Sequence, residues 1–119
     1  MSLQAYQKTQ RSTEHPRDTE YRLFAQVTQA LIEANKKGRA ELPTFVDALD
    51  WNRRVWGALA ADCSREANQL PPALRAQIIS LSLWVSRFSS EVTGSGGSLE
   101  PLIDVNKSIM AGLSQRPAA

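Results

Sequence analysis

The side chains able to do chemistry are few and far apart in this chain. His15 and Cys63 are the only histidine and the only cysteine among 119 residues. Without several converging carboxylates they cannot build an ordinary zinc site, and no HExxH, CxxC or EF-hand spacing is present. A nucleophilic triad would have to use His15, which stands beside Pro16 at a helix start, and no GxSxG elbow supplies its nucleophile. Asp47, Asp50, Asp62 and Asp104 are candidates for an acid and base pair, but each sits where a cap, an ion pair or a solvated face accounts for it. Cys63 falls on an apolar helical stripe and reads as a small buried hydrophobe. The glycines of Thr93-Gly94-Ser95-Gly96-Gly97 follow no strand and precede no suitably placed lysine, so they are not a phosphate loop. The inventory points away from an enzyme and implies no cofactor and no metal.

Recognition chemistry is better represented. Trp51 lies about 100° from the centre of its helix's apolar stripe, beside Arg53 and Arg54, and aromatic and guanidinium groups are enriched in interface hot spots. Two readings stand for it: an interface residue, or a tryptophan packed under the N-terminal arm with solvated arginines. Asn52 and Asn106 each interrupt an apolar stripe. They either fix register by satisfying buried polar groups or recognise a partner. Ile79 and Leu83, together with Ile109 and Met110, are further candidates for a partner-binding surface.

The elements that must position these residues are helical throughout, since no sustained alternation with β-branched residues occurs. Ser2 caps a short first helix, and residues 1–12 form an arm with little to bury. From Pro16, the residues Tyr21, Phe24, Val27, Thr28, Leu31 and Ile32 make one face of an amphipathic helix that Lys36, Lys37 and Gly38 close. Thr44 and Asp47 have capping-box spacing for the next helix, whose stripe is Phe45, Leu49, Asn52, Trp56, Leu59 and Cys63, and Asp50 is within one turn of both Arg53 and Arg54. Leu74 to Val92 is apolar on two sides. Leu74, Ile78, Leu81, Val85, Phe88 and Val92 make one stripe, and Ile79 and Leu83 fall roughly opposite it. That pattern predicts a central helix covered from both sides and ended at Thr93. Ser98 then caps a last helix whose apolar face centres on Asn106.

The predicted fold is all-α: a single-domain helical bundle spanning 1–119, of four main helices with a short N-terminal helix and a flexible tail over 114–119. Its formal charge of +2 comes from 14 Lys and Arg dispersed among 12 Asp and Glu, so direct nucleic-acid binding is not expected. No membrane association is expected either, because no apolar run approaches the ~20 residues of a span and the N-terminus lacks a signal-peptide core. A lone cysteine fits a reducing, cytoplasmic setting.

Four segments, EYRLFAQVTQALIEA, ALDWNRRVWGALAADC, LRAQIISLSLWVSRFSSEV and EPLIDVNKSIMAGL, in this order and with these gaps, resemble the flagellar biosynthesis regulator FlaF family. The resemblance runs from Ala5 to Leu113 and rests on the combination of DWNRRVW, LWVSRFS and NKSIMAGL. It implies a small cytoplasmic regulator of flagellin production and flagellum assembly that binds flagellin as a secretion chaperone. The alternative it leaves open is a post-transcriptional regulator acting on flagellin messenger RNA or on the partner regulator FlbT.

Overall fold

A computed structural model describes residues 16–114, and these are all-helical apart from short connections. Helix α1 spans Pro16–Lys37, with Asp18 in its first turn and Lys36 and Lys37 in its last, so both ends carry the charge that favours the helix dipole. Gly38, at φ 67°, takes the left-handed conformation that ends α1 and opens a 3-10 turn over Gly38–Glu41. Helix α2 spans Leu42–Cys63, α3 spans Pro72–Ser95, and α4 spans Glu100–Ser114. The expected N-terminal arm and His15 lie outside the described residues, as do 115–119; Ser114, expected in the tail, is the last residue of α4.

Two boundaries differ from the sequence expectation, each for a local reason. Helix α2 begins at Leu42, two residues before Thr44, and no side chain caps it. Pro43 is compatible with a first helical turn, where its missing N–H loses nothing, so the capping-box spacing of Thr44 and Asp47 is not used. Helix α3 continues through Gly94 to Ser95, because the residue that adopts the left-handed cap is Gly96, at φ 74°, whose N–H donates to the Val92 carbonyl. At α4 the expected cap is present: the Glu100 N–H donates to Ser98 Oγ at 3.1 Å, and Asn35 of α1 accepts the Leu99 N–H at 2.9 Å.

The largest departure concerns α3, which is not central. Helix α2 packs against both α1 and α3, and α4 packs against α1, so α1 and α2 form the middle of the molecule. The described body measures 46 × 40 × 22 Å, and its short dimension is about two helix diameters. A layer this thin covers an edge helix on one side. Accordingly Ile78, Val85, Ser89 and Val92 of α3 are buried, Leu81 and Phe88 are half-buried, and Leu83 is 66% exposed. Of the second apolar strip that suggested two covered faces, Ile79 is half-buried against the core and Leu83 is left facing outward.

The core is made by Phe24, Val27 and Leu31 of α1, Phe45, Leu49, Trp56 and Leu59 of α2, the α3 seam, and Leu102, Ile109 and Leu113 of α4. Phe24 and Trp56 meet edge to face at 5.4 Å, a geometry worth about 1 kcal/mol beyond the area it buries. Cys63 is buried at the C-terminal end of α2. Arg75 ties α3 to that end, donating from Nε to the Cys63 carbonyl at 2.9 Å and from Nη2 to the Arg65 carbonyl at 2.7 Å, which places a cation against the negative end of α2.

Candidate interaction surface

The residues singled out from sequence separate into an inner and an outer set. Asn52 and Asn106 are fully buried and bonded to each other. Asn106 Nδ2 donates to Asn52 Oδ1 at 2.8 Å and to Thr28 Oγ1 at 3.1 Å, while its Oδ1 accepts the Trp56 indole N–H at 2.8 Å. Thr28 in turn donates to Met110 Sδ at 3.9 Å. One asparagine thus joins α1, α2 and α4 through every polar hydrogen and the oxygen of its amide. Asn52 Nδ2 has no partner. Turning the Asn52 amide over would set two NH2 groups against each other, so the Asn106 bonds dictate its orientation. Ile109 is also buried and Met110 half-buried. With the helices closed, Asn52, Asn106 and Ile109 are buried between α1, α2 and α4, and a bonded polar pair in that position restricts how helices dock.

The outer set lies on α2 and α3. Trp51 is half-buried and packs against the core, between the two readings its sequence position allows. Asp50 pairs with Arg54, at 3.0 Å, rather than with Arg53. Both members are largely exposed, so the pair contributes a few tenths of a kcal/mol. Arg53 reaches across to α3, where its Nη2 donates to Ser90 Oγ at 3.3 Å, and its Nε is buried without an acceptor. Ile79 is half-buried and Leu83 stands in solvent. No charged residue lies between Arg75 and Arg87. The outward side of α3 therefore has Leu83 exposed with Arg87 one turn away, while Trp84 and Phe88, whose rings stack at 5.1 Å, pack against the core on another side of the helix.

Sequence periodicity does not single out Leu42 and Val46, which are 43% and 37% exposed. The signal is nonetheless present: at 100° per residue both fall roughly 100° from Asn52, off the buried stripe and on the flank that carries Arg53. Many basic side chains are engaged locally. Lys36 pairs with Glu33 at 3.8 Å, Lys37 with Glu41 at 3.6 Å, and Arg39 donates to the Thr93 carbonyl at 3.2 Å. Among the described residues no three His, Cys, Asp or Glu side chains gather to hold a metal ion, and no helix is long and apolar enough to cross a membrane.

A family model described as flagellar protein FlaF matches residues 2–113, a span that contains the stretch from Ala5 to Leu113 over which the sequence resembles that family. No curated protein and no solved structure matches the chain.

Proposed function

The chain belongs to the FlaF family of flagellar proteins, and from that membership we propose that it regulates flagellin production and flagellum assembly by binding flagellin in the cytoplasm as a secretion chaperone. The observation that carries this reading is Leu83, 66% exposed on the outward side of α3 with Arg87 one turn away. An exposed leucine on an outward helical face suits the docking of another amphipathic helix. A subunit destined for a filament has such helices, which are buried only after assembly, and a chaperone of this kind covers one of them beforehand. Nothing in this role requires chemistry, so on this reading the protein is not an enzyme.

Regulation through flagellin messenger RNA would call for a free basic stripe. Lys36, Lys37 and Arg54 are instead paired with carboxylates, and Arg39 and Arg75 with carbonyls. That engagement favours a protein partner. The two classes separate in one experiment: the purified chain is mixed in turn with monomeric flagellin, with a flagellin transcript and with FlbT, and complexes are sized by light scattering on a gel-filtration column. A complex with flagellin supports the proposal. A complex with the transcript or with FlbT, and none with flagellin, replaces it by the regulatory alternative.

A further inference from the structure

The geometry points to a groove between α2 and α3 that takes a short acidic amphipathic helix, whose carboxylate meets Arg53. This inference rests on the flagellin-binding reading and adds the surface and the chemistry of the segment bound. Two contacts fix how α2 and α3 lie together: Arg53 to Ser90, and Arg75 to the Cys63 carbonyl. Both require an antiparallel pair in which each step forward on α2 is a step back on α3. In that register Gly57 comes level with about Leu83, and Val46 with the glycine-rich end of α3. The same contact settles which flanks adjoin. On α2 the flank of Arg53 also carries Val46 and Gly57; on α3 the flank of Ser90 also carries Ile79 and Leu83, each set lying within about 40° of arc.

Along the line where these flanks meet, Leu83 stands at one end and Val46 at the other, with Arg53, the Arg54-paired Asp50 and Arg87 between them. A side chain built at Gly57 would meet nothing within 4 Å, so the wall beside Leu83 is open. Val46, 37% exposed, marks the other end, about 16 Å away along α2. Arg53 lies between, about one turn from Gly57. Its guanidinium has five donors, of which one reaches a neutral serine hydroxyl and one, Nε, is buried with no acceptor. No carboxylate of the described residues pairs with it, because the nearest in sequence, Asp50, is held by Arg54. A half-buried, unpaired guanidinium between two apolar ends is matched by a carboxylate between two apolar residues. The fitting occupant is a helix of about three turns. A second copy of this chain, laid groove to groove about a two-fold axis, would bring Arg53 against Arg53 and is disfavoured.

Two stapled helical peptides test this on the full chain, each with leucines three turns apart and either Glu or Lys between them, with binding read by calorimetry. The Glu peptide is expected to bind wild type about thirtyfold more tightly than the Lys peptide, a ratio that falls towards one in Arg53→Gln. Gly57→Gln projects into the trough from an open helical position, and it should weaken the Glu peptide by at least about tenfold while the melting temperature holds or rises. Equal binding of the two peptides, no binding of either, or full binding by folded Gly57→Gln overturns the groove. Flagellin distinguishes the two layers of the argument. If flagellin fails to bind wild type while the Glu peptide binds, the function proposed above falls and the groove stands; if flagellin binds wild type, Arg53→Gln and Gly57→Gln alike, the groove falls and that function stands.

Discussion

Asn106→Ala removes the amide that joins three helices, and its cost follows from the atoms left behind. The Trp56 indole N–H loses its acceptor inside the core, and Asn52 Oδ1 loses its donor while Asn52 Nδ2 already has no partner. Thr28 keeps its contact to the Met110 sulfur. Each buried polar group left unsatisfied costs about 1–3 kcal/mol, so the two that lose partners, with the small cavity, sum to roughly 3–5 kcal/mol. Out of a total stability on the order of 5–15 kcal/mol, this is a drop of about 12–20 °C in melting temperature for a domain of this size. Urea titration followed by circular dichroism measures it directly. Asn106→Asp sharpens the test, because an ionised carboxylate accepts but cannot donate to Asn52 and Thr28. Burial raises the folded-state pKa of the introduced carboxyl above its unfolded value of about 3.9, so the folded state binds the extra proton and stability falls as pH rises through that window. An Asn106→Ala variant that loses less than about 1 kcal/mol, or an Asn106→Asp variant with the parent's pH profile, would refute the network as the device that aligns α1, α2 and α4.

Two side chains of α3, Leu83 and Val85, should respond oppositely to the same change: Val85→Asp places an unpaired carboxylate in the α2 seam and costs several kcal/mol, while Leu83→Asp on the open face stays within about 0.5 kcal/mol, both read by thermal melting. Gly96→Ala should destabilise by about 1–2 kcal/mol, because φ 74° disfavours a side chain there and the new Cβ would run into the Arg39 side chain that lies against the cap; chemical denaturation against the parent reads the difference. Trp51→Ala should lower stability by about 1–2 kcal/mol, since the ring is half-buried against the core; an unchanged melting temperature would return Trp51 to the surface.

Much of this architecture is legible in the sequence where one residue type repeats on one helical face. The stripes of α1, α2 and α4 are such cases: Phe24, Val27 and Leu31, then Leu49 and Trp56, then Leu102 and Ile109, fall in the core as their spacing requires. Asn52 and Asn106 are legible as buried for the same reason, since each is centred in a stripe. That they bond to each other is not legible, because nothing local to either residue encodes a contact across 54 positions. The position of α3 misleads for a related reason. Periodicity reports how much of a helix is apolar, not how many neighbours it has, and an apolar position left in solvent has the same pattern as one covered by the protein itself. The choice of Arg54 over Arg53 by Asp50 is open by spacing alone; Arg53 is drawn instead towards Ser90 of α3.

The claim that this chain carries a binding face for flagellin is tested most directly by titrating monomeric flagellin into wild type and into Leu83→Asp in parallel, in a calorimeter, with melting curves recorded on the same samples. The account predicts saturable binding to wild type and a loss of at least about tenfold in affinity for Leu83→Asp, with the two proteins melting together. Equal affinity for both would show that α3 is not the contact surface, and no heat from wild type at any concentration reached would contradict the chaperone role itself.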